Sequence, residues 1–362
     1  MSVFTRRSAV LASVGVASAL VLAGCSGGAT TDDGSSSSAA GGDAIGVTLI
    51  TKDPNDPFWV AMIDGAEQAA KDAGVEITVA SGRDQTDSDS QIQAIENAIQ
   101  RGDSGILIAN NGPAVNDAIQ KAEDAGLIVI ALDTPTTPID LVDATFASDN
   151  RLAGQLIGEW AAAKLGGDDA TIALIDLFSD KVVSVDYERD QGFLAGMGID
   201  VADENMNGDE AATGSYSQGS YEIVCNEASN GAEDGGRTAM EKCLSLNPDI
   251  NVVYTANEPS ALGAVQALKA AGNDSALVVT INGSCDGIAG VADGSFGADA
   301  QQYPSKMGSL GVQAVIDYVN NGTKPTADAG KDFTNTGITL VTDQPVDGVD
   351  SIDSTAGADG CY

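Results

Sequence analysis

The chain has 362 residues and a formal net charge of −36, with 53 acidic side chains against 17 basic ones. That balance argues against nucleic acid or an anionic membrane surface as partner, because phosphate recognition needs clustered Lys and Arg. The chain contains no histidine, which removes His-based nucleophilic triads and every His-ligated metal site. No nucleophile elbow and no Walker A loop occur, and no metal, cofactor or catalytic residue is expected. Gly196-Met197-Gly198 begins a dinucleotide-like pattern, but Val201 stands at its third glycine position.

Residues 1–24 read as an export signal. Arg6 and Arg7 precede an apolar run from Ala9 to Ala23 that is too short and too weakly hydrophobic for a convincing membrane span. Leu22-Ala23-Gly24-Cys25 resembles the bacterial lipobox, whose cysteine is lipidated and becomes the first residue after cleavage. Cys25 is therefore the expected anchor, holding the protein on the outer face of the cytoplasmic membrane. Residues 25–43 lack periodicity and large apolar groups, as a flexible tether does. Beyond Cys25, Cys225, Cys243, Cys285 and Cys361 allow three pairings. An exported protein favours bridges over free thiols. Cys225 ends the apolar run from Tyr221 and Cys243 lies on the next predicted helix, so a local Cys225–Cys243 bridge is expected. Cys285–Cys361 would then pin the C-terminal tail.

From residue 44 the chain alternates between strand and helix patterns. GVTLIT (46–51) reads as a strand, and Phe58 to Ala73 carries helical spacing that stops at Gly74. A strand at 75–80 and a helix at 87–101 follow. Residues 105–110 and 127–132 are nearly continuous apolar runs, suited to strands covered on both faces. A helix at 113–125 separates them. Further helices are predicted at 151–165, 189–198, 234–246, 259–271 and 304–320. Further strands are predicted at 171–175, 220–224, 251–255, 277–281 and 297–301. The alternation predicts an α/β fold of doubly wound parallel sheets, and the number of units calls for two Rossmann-like lobes.

Ligands of such sheets sit beyond the C-terminal strand ends. Lys52-Asp53-Pro54-Asn55-Asp56-Pro57-Phe58-Trp59 follows the first strand. Asp133-Thr134-Pro135, Asn257-Glu258-Pro259, Asn282-Gly283 and Gln302-Tyr303 follow four others. Any one of these polar residues could be a helix cap. Their recurrence at five strand ends points instead to a polar cleft. Carboxylates and amides supply the acceptors and donors that hydroxyls need, and aromatic rings pack against a sugar's C–H face.

Asn55-Asp56-Pro57-Phe58-Trp59, Leu132-Asp133, Ala147-Ser148-Asp149-Asn150, Arg189-Asp190-Gln191-Gly192-Phe193 and Asn257-Glu258-Pro259-Ser260-Ala261-Leu262-Gly263 occur in this order. With these motifs the chain resembles the type 1 periplasmic-binding-protein family, the ribose and hexose binders of ABC importers, over about residues 45–340. The resemblance implies two lobes joined by three crossovers, closing on a monosaccharide. The N-terminal lobe would take 44–148 plus 303–335, and the C-terminal lobe 149–302 plus 336–362. Carried over by position, Lys52, Asp56, Phe58, Trp59 and Asp133 would contact the sugar from the first lobe. Asn150, Arg189, Asn257 and Asn282 would do so from the second, with Gln302 near a crossover.

The ribose binders have Phe-Asp where this chain has Ile281-Asn282, so one stacking ring is lost and an acid becomes an amide. Leu132 to Thr136, Gly154 to Trp160, Gln301-Gln302-Tyr303-Pro304 and the four later cysteines look closest to the fructose-binding branch. The implied partners are a monosaccharide and an importer permease, with the membrane reached only through the lipid and the protein a monomer. Three alternatives use the same residues differently. A sensor would dock its closed form on a chemoreceptor or histidine kinase. A carboxylate-based glycosidase would use acids such as Asp53 and Asp56. A repressor effector domain would need a DNA-binding helix-turn-helix where the export signal stands. For single residues, Arg189 could simply pair with Glu188 or Asp190 on a solvated face, Lys52 could be a surface charge, Asp149 a helix cap and Trp160 core.

Overall fold

The computed structural model describes residues 45–362. The export segment, Cys25 and the tether lie outside the described residues.

The first lobe is built from β1 (Gly46–Thr51), α1 (Pro57–Ala73), β2 (Glu76–Ser81), α2 (Ser88–Arg101), β3 (Gly105–Ile108), α3 (Asn116–Asp124), β4 (Ile128–Leu132) and β5 (Ala144–Ala147). The second holds α4 (Asn150–Leu165), β6 (Ala170–Asp176), α5 (Ser184–Met197), β7 (Thr213–Ser215), β8 (Ser220–Ala228), α6 (Glu233–Leu246), β9 (Val252–Thr255), α7 (Glu258–Ala271), β10 (Leu277–Asn282), α8 (Cys285–Asp293) and β11 (Ala298–Gln301). The chain then returns through α9 (Pro304–Asn321) and β12 (Thr334–Asn335) to the first sheet, and crosses again to β13 (Thr339–Val341) and α10 (Ser354–Gly357) in the second.

The two sheets run β2-β1-β3-β4-β5-β12 and β7-β8-β6-β9-β10-β11-β13. All strand pairs are parallel except β7–β8 and β11–β13 at the edges of the second sheet. Each lobe has an apolar cluster on either face of its sheet. β3 and β4 are buried along their whole length, which is why they read as unbroken apolar runs rather than alternating ones. This is the doubly wound two-lobed α/β architecture with three crossovers that the sequence predicts.

Local chemistry places the helix ends. Asp56 caps α1 by accepting a hydrogen bond from Phe58 N, Pro57 fills the first helical position, and Gly74 closes the helix in the left-handed region at φ 68°. Asp149 caps α4, accepting from Leu152 N at 3.0 Å. α5 begins at Ser184, five residues before its predicted start. No side chain caps it, so no residue type marks where it begins. β5 and α8 are not among the predicted elements, although β3 and α3, equally short, are. Trp160 is fully buried, with its indole N–H donated to Gln344 O at 3.0 Å. Cys225 and Cys243 stand with sulfurs 1.92 Å apart, and Cys285 and Cys361 at 1.88 Å.

Candidate functional site

Between the lobes lies a small chamber. Lys52, Asp56, Phe58, Trp59, Gln85 and Asp133 line it from the first lobe. Leu177, Val185, Arg189, Asn257 and Asn282 line it from the second. A larger cavity opens on the second lobe near the ends of β6 and β8. The smaller chamber is the better ligand site, because both lobes converge on it and its polar side chains are shut from solvent.

The strand ends deliver these groups. Lys52 follows β1, is 2% exposed, and donates from Nζ to Thr134 Oγ1 at 2.7 Å. Its ammonium is 3.8 Å from Asp133 Oδ2 and 5.4 Å from the centroid of the Trp59 ring. Burial pushes the Lys52 amine down to about 8, with Arg189 and Lys181 adding to the effect and Asp133 opposing it. Lys52 is thus a buried amine, not a surface charge. Asp133 follows β4 with φ 63°, a left-handed conformation that Asp tolerates better than most residues. Its Oδ2 accepts from Thr134 Oγ1 at 2.7 Å.

Phe58 and Trp59 are 3% and 4% exposed, with ring centroids 4.7 Å apart at 79°. The Trp59 Nε1–H has no partner in the protein. Asp56 spends one oxygen on the Phe58 amide at 2.9 Å. Burial raises its carboxyl to about 6, against the lowering effect of that bond.

The second lobe contributes a guanidinium and two amides. Arg189 is 4% exposed, donating from Nε to Asn150 Oδ1 at 2.8 Å and from Nη1 to Ala256 O at 2.8 Å. Its Nη2 reaches Asp133 Oδ1 of the other lobe at 3.9 Å. It pairs with neither Glu188 nor Asp190 on a solvated face. Asn257 donates to Gly231 O at 3.0 Å and caps α7 through its oxygen. Asn282 Oδ1 accepts from Gln302 Nε2 at 3.3 Å.

Asn150 and Gln302 therefore stand behind the lining: Asn150 orients Arg189, and Gln302 orients Asn282. Gln85, Leu177 and Val185 line the chamber without having been singled out from the sequence. Gln85 follows β2 and Leu177 follows β6, so the strand-end argument reaches both when applied to every strand. Val185 carried no polar signal. Buried Glu258 supports the wall: its Oε1 accepts from Gly283 N at 2.8 Å and Ser284 N at 2.9 Å, fixing the turn after Asn282.

The lobes hold each other outside the chamber as well. Lys181, in the loop after β6, donates to Gln85 O and Asn111 O of the first lobe, each at 3.1 Å. Its ammonium also sits 3.9 Å from the centroid of the Phe178 ring.

Two wound lobes enclose a chamber lined by donors, acceptors and rings, the architecture of a two-lobed binding protein. The chain belongs to the periplasmic binding protein family: residues 45–324 match the family's domain. It is 29% identical over 282 residues to the ribose import binding protein of Escherichia coli, covering 78% of this chain and 86% of that protein. It is 30% identical over 281 residues to the D-apiose import binding protein of Actinobacillus succinogenes, covering 76% and 83%. In fold it is similar to an ABC transporter solute binding protein from Agrobacterium vitis with bound D-fucose, with a TM-score of 0.72, 24% identity, and coverage of 88% of this chain and 100% of that one. A solute binding protein from Actinobacillus succinogenes with bound D-allose gives a TM-score of 0.70 at 22% identity, covering 82% and 97%. These relatives are transport binding proteins, and the chain is a binding protein, not an enzyme.

Proposed function

We propose that the protein is the extracytoplasmic receptor of an ABC importer, tethered through a lipid on Cys25, and that it captures one monosaccharide in the interlobe chamber. The observation that carries this reading is the chamber lining. Asp56 and Asp133 offer acceptors, Lys52, Arg189 and the Trp59 N–H offer donors, and Asn257 and Asn282 can offer both. Phe58 and Trp59 supply apolar faces for the C–H side of a ring. Phosphorylated ligands fit less well, because the two cations are already balanced by two acids. Fructose is the first candidate. Ribose and apiose follow, as the sugars named for two of the relatives.

Calorimetry against fructose, ribose, allose, apiose, glucose and inositol tests the reading. A dissociation constant near micromolar, about −8 kcal/mol, is expected for one of them. Absence of heat with the whole panel would sink the sugar assignment. Metabolic labelling with a fatty acid, lost in Cys25→Ser, tests the anchor. Sugar uptake lost on removal of the protein tests its partnership with a permease.

A further inference from the structure

The arm formed by residues 354–362 is fastened to the second lobe. It opens with α10, and Gly357 O accepts from Gln301 Nε2 at 3.0 Å. Cys361 is bridged to Cys285, the first residue of α8, and packs with the apolar cluster of that lobe. The Cys285 amide donates to Tyr362 O at 3.0 Å. Two successive residues of the arm, Cys361 and Tyr362, are therefore tied to the start of α8.

The side chain of Tyr362 leaves that lobe. It packs against the apolar cluster of the first lobe that contains Phe58 and Trp59. Its ring stands edge to face with Phe58, centroids 5.9 Å apart at 78°. Phe58 meets Trp59 in the same way at 4.7 Å, so three rings form a row from the chamber to the second lobe's arm. Tyr362 is not part of the chamber lining, so it meets Phe58 from outside. Its hydroxyl is shut from solvent and has no partner. Burial, then Glu258 and Asp299 of the second lobe and Asp56 of the first, hold the phenol proton on well above the usual tyrosine range. A buried hydroxyl without a partner adds nothing to stability, so the ring is what Tyr362 contributes. A ring that borders a cavity lacks packing partners on that side, and the contact behind it decides which rotamer it keeps.

We propose that Tyr362 is a positioning residue of the sugar site. From an arm fixed to the second lobe it sets the Phe58 ring in the first, and through that ring it sets the affinity of the chamber. The inference rests on the sugar reading of the chamber. Tyr362 touches no ligand itself. The Cys285–Cys361 bridge then has a role in binding as well as in folding, because it holds the residue next to the tyrosine. A residue that merely covered the first lobe's core would change stability and leave the affinity of the folded protein alone.

Calorimetry with the sugar that the parent binds, at a temperature well below every variant's melting point, tests this. Tyr362→Ala should raise the dissociation constant roughly fivefold, the size of one aromatic pair contact. Tyr362→Phe should bind as the parent does, since it keeps the ring and loses only an unpartnered hydroxyl. Tyr362→Leu keeps apolar cover without a ring; it should bind as weakly as Tyr362→Ala, and it serves if the alanine variant fails to fold. Cys285→Ser combined with Cys361→Ser keeps the ring but frees the arm, and should weaken binding in the same direction. In a double-mutant cycle with Phe58→Ala, the loss caused by Tyr362→Ala should nearly disappear, because it acts through Phe58. Parent-like affinity in Tyr362→Ala or Tyr362→Leu overturns the proposal, and so does an equal loss with and without Phe58. A parent that binds no sugar of the panel sinks the sugar reading and this inference with it; a parent that binds while its variants match it sinks this inference alone.

Discussion

Phe58 and Trp59 are neighbours in sequence, yet both face one chamber. They lie on the first turn of α1, directly after a strand end, where the helix axis meets the cleft rather than the flank of the sheet. The inward indole N–H of Trp59 has no partner in the protein, which leaves it for a ligand hydroxyl. Trp59→Ala should weaken sugar binding by more than about 1 kcal/mol, on the scale of aromatic contacts, while the melting temperature stays close to the parent's; unchanged calorimetric affinity would leave the ring as core. Asp56 makes a second test, through pH. Its carboxyl titrates near 6, so a sugar hydroxyl meets a carboxylate above that pH and a neutral acid below it. Affinity should fall as pH drops from 7 to 5 in the parent and stay flatter in Asp56→Asn. The linkage to folding has the opposite sense. A raised carboxyl contributes stability that is fully present below its unfolded value of 3.8 and is lost as pH rises through about 6. At this scale the polar strand-end residues were readable because a parallel sheet sends its loops to one place. Asn150 and Gln302 could not be told from lining residues, since one hydrogen bond separates a contact from its support.

At the level of elements, α4 and α5 decide where Arg189 stands. Their backbones approach so closely that a methyl group added at Gly154 would lie 2.1 Å from Arg189 O. Gly154→Ala must push α5 away and carry the guanidinium with it. Overpacking of this kind costs about 1–3 kcal/mol, so the variant should melt lower and also bind sugar more weakly, whereas simple destabilisation would leave the affinity of the folded fraction unchanged. The sequence showed α4 clearly, because the Asp149 cap is a local signal, whereas α5 buries charged and apolar residues alike and carries no apolar stripe. The sequence hid the true start of α5, where no cap marks the boundary, and it hid β7, β12 and β13, two or three residues each, which are too short to display a period. Those short strands take their place from neighbours already in the sheet, and no local residue choice records that.

Across the whole molecule, the sequence exposed the architecture better than the closure. Alternating strand and helix patterns repeat along the chain, and their number alone required two sheets. The contacts between lobes leave no such pattern, because they join backbone carbonyls to single side chains far apart in sequence. Lys181 bridges to Gln85 O and Asn111 O, and Arg189 reaches Asp133. In this closed arrangement Lys52, Asp133, Arg189, Asn257 and Asn282 are all buried. A sugar cannot diffuse onto such a lining; the lobes must part first. Capture then has a speed limit set by the protein itself. In stopped-flow mixing, the observed rate should stop rising at high sugar concentration and level off at the opening rate. Lys181→Met, which removes two of the bonds across the gap, should lift that ceiling. A rate that climbed linearly without limit would mean that the free protein stands open.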